Sequence, residues 1–284
     1  MKIAITGATG QLGRLVIQSL LKHSNPSNLI ALIRDQSKAQ DLKDLGIELR
    51  TFDYDQPENL KQQLSGIDKL LLISANEIGR RTPQHKAVIE AAQQANVPYI
   101  AYTSLLNADQ SPLGLAQEHR ETEALIKASG LSYTFLRNNW YLENYLAGLH
   151  HAIESGVLYG SANDGKISAA SRQDYADAAA NILLSSGHED KIYELAHSKS
   201  FTLSELAQHI SSISGKTVNY INLSDSDYKQ GLINAGLPEA LVEVIVDADI
   251  HTRDGAMFSE SKDLETLLGH APTEISKVIE STIK

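Results

Sequence analysis

The chain has 284 residues, 42% hydrophobic and 21% charged, with 18 glycines, 7 prolines and no cysteine. This composition excludes collagen, coiled coil and bulk disorder, and the lack of cysteine excludes disulfide scaffolds, thiolate catalysis, cysteine-ligated zinc and iron–sulfur clusters. With 25 basic against 35 acidic side chains the formal charge is −10, which argues against nucleic acid or an acidic membrane as partner and for a small or uncharged substrate.

Met1 to Gly7 enters a short apolar run with no charged leader and no small-residue cleavage site, and no apolar stretch approaches the roughly 18–20 residues that cross a bilayer. The expectation is a cytoplasmic protein. Short β-like runs follow at Ile3–Thr6, Leu29–Ile33, Glu48–Phe52, Leu70–Ile73, Tyr99–Thr103 and Tyr133–Leu136. Helical spacing fills the intervals at Leu12–Lys22, Ser37–Leu45, Pro57–Leu64, Gln84–Ala95 and Ala116–Ala128. Alternation of this kind predicts an α/β fold, a Rossmann-like doubly wound parallel sheet with strands apolar on both faces. Beyond Arg137 the pattern predicts a helix over Trp140–Ile153, a glycine-studded stretch from Gly156 to Gly165, an alanine-rich helix over Gln173–Leu184 and a strand over Ile192–Ala196. Thr202-Leu203-Ser204-Glu205 is a capping-box pattern opening a helix to Ile213, followed by a strand at Thr217–Leu223 and mostly helix from Ser226. The division expected is a nucleotide-binding domain over 1–155, completed by about 168–198, and a smaller interleaved α/β C-terminal lobe over 199–284.

The first strand runs straight into Gly7-Ala8-Thr9-Gly10-Gln11-Leu12-Gly13 and a helix, the context a dinucleotide-binding loop requires. Glycines let the main chain approach a pyrophosphate, and the helix N-terminus favours the anion. The second strand ends in Arg34, where an acid would bind ribose hydroxyls and an arginine suits a 2′-phosphate. Arg34, with Lys38 near it, points to NADPH, although Asp35 leaves NAD open. Asp53, closing the third strand, is placed to meet the adenine.

The Gly-x-x-Gly-x-x-Gly spacing departs from Gly-x-Gly-x-x-Gly. Together with Leu70–Ser74, Ile100–Leu105, Ser111–Ala116 and Leu136–Tyr141, it resembles the atypical, NmrA-like branch of the short-chain dehydrogenase/reductases. Within that branch the likeness is to type 2 NADPH:quinone oxidoreductases, with triphenylmethane reductases as near relatives, and it spans essentially the whole chain. The resemblance implies a cofactor lying along Gly7 to Gly13, Arg34, Ser74-Ala75-Asn76, Ser104 and Asn138-Asn139-Trp140-Tyr141-Leu142-Glu143. It implies NADPH-dependent, two-electron reduction of quinones or another flat aromatic acceptor by a monomer or weak homodimer. Two alternatives stay open, a dinucleotide-binding redox sensor acting through a protein partner and a reductase of triphenylmethane-type dyes.

Ordinary short-chain dehydrogenases take the alcohol proton with a tyrosine backed by a lysine four residues later. None of the 11 tyrosines here has that lysine. His119 and Glu123 stand in the region where the pair would fall. A quinone makes the absence tolerable, because hydride addition leaves a phenolate whose conjugate acid has a pKa of about 10, unlike an alkoxide. A cationic dye, quenched by hydride, leaves no oxyanion. His119 and Tyr141 are the weak candidates for catalysis, Asn138, Trp140, Tyr141 and Tyr145 for the acceptor pocket, and no metal site is expected.

Overall fold

The computed structural model describes residues 1–284. Seven strands form one sheet, β1 (Ile3–Ile5), β2 (Leu29–Ile33), β3 (Glu48–Thr51), β4 (Lys69–Leu72), β5 (Tyr99–Leu105), β6 (Ser132–Asn138) and β8 (Lys191–Leu195), in the order β3-β2-β1-β4-β5-β6-β8. Strand β7 (Val157–Gly160) pairs instead with β9 (Asn219–Asn222), in parallel. The pairs from β3 through to β6 are all parallel, with Ile5 opposite both Ala31 and Leu71, and Leu105 opposite Asn138. Asp190 N–H donates to Tyr133 O and Asn139 N–H to Leu195 O, so β8 runs the same way as β6. No helix is long and apolar enough to cross a membrane.

The helices are α1 (Gln11–Leu21), α2 (Gln40–Asp44), α3 (Pro57–Gln63), α4 (Arg81–Gln94), α5 (Ala116–Ser129), α6 (Leu142–Tyr145), α7 (Leu149–Ser155), α8 (Arg172–Leu184), α9 (Leu203–Ser214), α10 (Asp225–Asn234), α11 (Glu239–Thr252), α12 (Asp263–Leu268) and α13 (Ile275–Ile283). The chain forms two compact units. The first comprises 1–109, 117–138 and 173–194, the second 110–116, 139–172 and 195–284. Residues 139–155, expected to end the nucleotide-binding domain, thus fall in the second unit.

In the first unit both sheet faces are apolar. Ala4, Ile30, Leu32, Leu70, Leu72, Ile100 and Tyr102 join Leu60 of α3, Val88 and Ile89 of α4 and Ile126 of α5 in one buried cluster. Strand alternation sends Ile3, Ile5, Leu29, Ala31 and Leu71 to the other face. There Ser19 of α1 hydrogen-bonds Gln173 and Asp177 of α8. Burial on both faces explains why these strands read as continuous apolar runs.

Two expected helices are broken. Ser37–Leu45 begins as a 3-10 turn over Gln36–Lys38, because Asp35 turns its carboxylate onto the Ser37 N–H (3.0 Å) and hydroxyl (2.7 Å). Trp140–Ile153 splits because Tyr141 bridges to Ala170 with an extended backbone, and Leu142 N–H donates to Ala170 O at 2.9 Å. The helix that then starts ends at Tyr145, and α7 starts only after Gly148.

In the second unit α9 carries the capping box read from the sequence, with Glu205 N–H donating to Thr202 Oγ1 and Thr202 N–H to Glu205 Oε2. Asp249 on α11 is 4% exposed, and one of its oxygens accepts the Ser161 N–H at 2.8 Å. Burial pushes its carboxyl up from 3.8 to about 6. The folded state therefore keeps a proton that the unfolded chain has already released. This contribution to stability is full below about pH 4 and is lost as pH rises through about 6. Asp249→Asn keeps the acceptor for Ser161 and removes the buried charge. It should raise stability at pH 7 by on the order of 2–3 kcal/mol and change it little at pH 4, read from urea midpoints at both pH values. Equal effects at the two pH values would refute the assignment.

Candidate active site

Parallel strands bring the ends of β1, β2, β4 and β6 to one edge of the first unit's sheet, the edge at which open α/β sheets bind ligands. Gly7 takes φ +57°, a left-handed conformation that glycine adopts freely, and Gly10 N–H closes the turn onto Gly7 O at 2.9 Å. A Cβ on Gly13 would lie 2.3 Å from Gly7 O, so only glycine lets α1 pack this tightly on the loop. Gly7, Gly10 and Gln11 are exposed and Thr9 half-buried, whereas Ala8, Leu12 and Gly13 are buried and shape the turn from beneath. The N-terminus of α1 has no side-chain cap and no acidic residue in its first turn, which leaves its amides open to an anion.

Arg34, 69% exposed, directly follows β2 with Nη1 3.3 Å from Glu77 Oε1. The Asp35 carboxylate turns one oxygen onto Ser37 as the cap described above. Asp53 likewise organises its own turn, accepting the Asp55 N–H at 3.1 Å.

The Ser74-Ala75-Asn76 turn is held by residues that sequence reading did not single out for this work. Ser74 N–H donates to Thr103 Oγ1 (2.9 Å) and Ala75 N–H to His85 Nε2 (2.9 Å), while Arg81 Nε donates to Ala75 O (2.5 Å). Because Nε2 accepts, the proton of His85 sits on Nδ1 and is donated to Thr122 Oγ1 at 2.9 Å; that hydroxyl in turn donates to Glu118 O. Burial pushes His85 down to about 3, so this neutral form persists at ordinary pH. Pairings 10 and 37 residues apart leave no local signal in a sequence.

Helix α5 carries His119 and Glu123 and no tyrosine–lysine pair. His119 is 5% exposed, shares a 2.8 Å hydrogen bond with the Tyr102 hydroxyl, and is held down near 3 by burial and by the charge of Arg81. Held neutral, it is a poor general acid at ordinary pH. Four residues on, Glu123 is bound by Arg137 through Nε (2.9 Å) and Nη2 (2.8 Å), both side chains being 6% exposed. Ser104 Oγ donates to the same carboxylate at 2.6 Å, and Arg137 Nη1 also reaches Asp109 and Glu194. Ser104 thus spends its hydroxyl on this network.

Asn138 ends β6 with its Oδ1 buried and lacking a hydrogen-bond partner, an acceptor left for an incoming donor. In the second unit Asn139 Nδ2 donates to Met257 O (2.9 Å) and its Oδ1 accepts the Trp140 N–H (2.8 Å). Leu142 is fully buried, and Glu143 accepts the Arg172 N–H on both oxygens, at 2.9 and 3.0 Å. The side chains of Asn139, Leu142 and Glu143 are thus engaged within the protein. Trp140 and Tyr141 remain half-exposed, the Tyr141 ring lying 4.6 Å from the Arg172 guanidinium. Tyr141 precedes α6, so it and Tyr145 do not lie one turn apart on a single helix. Tyr145 packs edge-on against Phe201 instead.

An uncapped helix N-terminus, a glycine loop without side chains, an exposed arginine after β2 and an unpaired Asn138 acceptor fit a phosphorylated nicotinamide dinucleotide. Residues 7–186 match the family model described as NAD(P)H-binding. The chain is 50% identical over 277 residues to quinone oxidoreductase 2 of Escherichia coli (strain K12), covering 98% of this chain and 97% of that one. The structure of the E. coli NADPH-dependent quinone oxidoreductase complexed with NADPH superposes with a TM-score of 0.97 at 49% identity, covering 99% of this chain and all of that one. The triphenylmethane reductase of Citrobacter sp. complexed with NADP(H) gives a TM-score of 0.96 at 39% identity, again over 99% of this chain and all of that one. The chain therefore belongs to the NAD(P)H-binding family of Rossmann-type oxidoreductases, together with these two reductases.

Proposed function

We propose that the chain is an NADPH-dependent oxidoreductase that reduces quinones by two electrons at once. The observation that carries this reading is the rebuilt acid–base position. His119 is neutral and tied to Tyr102, Glu123 is locked to Arg137, and Ser104 is spent on Glu123. Nothing there protonates an alkoxide, so the reaction supported is one whose product anion is already stabilised. Quinone reduction meets that condition, and quinone oxidoreductase 2 is 50% identical. The sensor alternative is not carried forward, since the relatives reported above are named as reductases.

The residues then divide the work. The open amides of α1 and the Gly7 to Gly10 loop hold pyrophosphate, Arg34 meets the 2′-phosphate, and Asn138 Oδ1 is the acceptor that orients the carboxamide end. Bound NADPH supplies the hydride. Trp140 and Tyr141 offer flat faces suited to a flat acceptor. His85, through the Ala75 amide, fixes the turn after β4 as a positioning residue.

NADPH oxidation measured with benzoquinone and with a simple ketone tests the reading. Quinone should be turned over and ketone should not, and ketone reduction would sink it. His119→Ala should cost less than the roughly 100-fold expected for loss of a true general acid. A larger loss of quinone turnover with NADPH affinity intact would restore His119 to the mechanism.

A further inference from the structure

Arg34 does not stand alone at the edge of the sheet. Its partner Glu77 lies on the loop between β4 and α4, and the second carboxylate oxygen of Glu77 accepts from Arg80 Nη1 at 2.8 Å and from Gln84 Nε2 at 3.2 Å. Arg80 in turn gives Nη2 to Asp55 Oδ1 at 2.7 Å. Arg34, Glu77, Arg80 and Asp55 thus form one line of alternating charge, entirely within the first unit. The line is uneven. Glu77 is held firmly on the Arg80 side, while its contact with Arg34 is 3.3 Å long and the Arg34 side chain is twice as exposed, 69% against 33%.

We infer that Glu77 is a specificity-determining counter-ion that sets how tightly Arg34 holds the 2′-phosphate and how readily NADP is exchanged. The inference rests on the reading that Arg34 meets that phosphate. A 2′-phosphate competes with Glu77 for the guanidinium, and the carboxylate stays compensated because Arg80 and Gln84 remain on its other oxygen. Capture therefore weakens one exposed ion pair and brings a phosphate close to a carboxylate. Both costs fall on any ligand with a 2′-phosphate and on none without it. They fall equally on NADPH and NADP⁺, so Glu77 loosens substrate and product alike and shortens the hold on the spent cofactor. Asp35, the other acid beside Arg34, turns one oxygen onto Ser37 and makes no hydrogen bond to the guanidinium.

The test is calorimetric titration of the whole chain, wild type and Glu77→Gln, with 2′,5′-ADP, which carries the 2′-phosphate, and with 5′-ADP, which lacks it. Glu77→Gln is isosteric, keeps an acceptor for Arg80, and its melting temperature verifies that the fold is intact. Expected is 2′,5′-ADP binding tighter by about three- to tenfold, 5′-ADP unchanged within about twofold, and a gap that narrows as salt is raised. NADP⁺ should leave the variant more slowly in stopped-flow displacement. In the Arg34→Ala background the gain from Glu77→Gln should shrink. Unchanged or weaker 2′,5′-ADP binding by Glu77→Gln overturns the inference, because a carboxylate that merely positioned the arginine would behave that way. If the wild type itself does not prefer 2′,5′-ADP over 5′-ADP, the reading of Arg34 fails first, and the wild-type titration alone reveals it.

Discussion

Arg137→Met should cost the protein about 3–5 kcal/mol of stability, the loss that follows when one partner of a buried ion pair is removed and the other is stranded. The stranded group is Glu123, which keeps the Ser104 hydroxyl but loses both guanidinium bonds. Asp109 and Glu194 lose the same cation. Removing the charge as well, in Glu123→Leu/Arg137→Met, should recover much of the loss, because well-packed apolar replacements of buried ion pairs are often neutral or better. Urea unfolding of the two variants decides it. A single variant within about 1 kcal/mol of wild type would show that water reaches Glu123 easily. The network occupies the place of an acid–base pair, so this experiment also asks whether that place has become purely structural. If so, the double variant should reduce benzoquinone at a rate close to that of wild type.

Arg34→Ala should weaken NADPH by roughly 1.5–3 kcal/mol, one charge-assisted contact, and leave NADH nearly unchanged. Dissociation constants for both cofactors at two salt concentrations measure it, and the NADPH penalty should be the larger at low salt. Equal loss for both cofactors, or tighter NADH binding in the unaltered protein, would remove Arg34 as the selector.

Much of the first unit was legible because its signals are local. Strand β2 falls on Leu29–Ile33 as read, and the glycine loop carries its own geometry, since φ at Gly7 and the close approach at Gly13 follow from residue type. What stayed illegible was set by partners distant in sequence. Periodicity over Trp140–Ile153 is helical, yet the bridge from Tyr141 to Ala170 holds that backbone extended before a helix can start. Asn139 and Glu143 enter the cofactor segment through the family resemblance, and nothing nearby in sequence announces that Met257 and Arg172 engage their side chains. The contacts of Glu77 and of His85 carry no local signal for the same reason. Each acts on a residue that only the assembled sheet brings close.

The parallel order of the sheet bears on how the chain is made. No neighbouring pair in it is joined by a hairpin, and the first unit draws on three separate stretches, the last of which ends at Glu194. During synthesis the first strands to leave the ribosome can pair only across long loops, which makes for slow, high-contact-order assembly. Until Lys191–Leu195 emerges, β6 remains the growing edge, with unpaired main chain along buried Phe135 and Leu136. A nascent chain halted before that point would present an adhesive strand, the kind of surface that chaperones cover. Truncation just before β8 should accordingly yield insoluble product, whereas a chain ending just after α12, at Leu268, keeps all seven strands of the sheet.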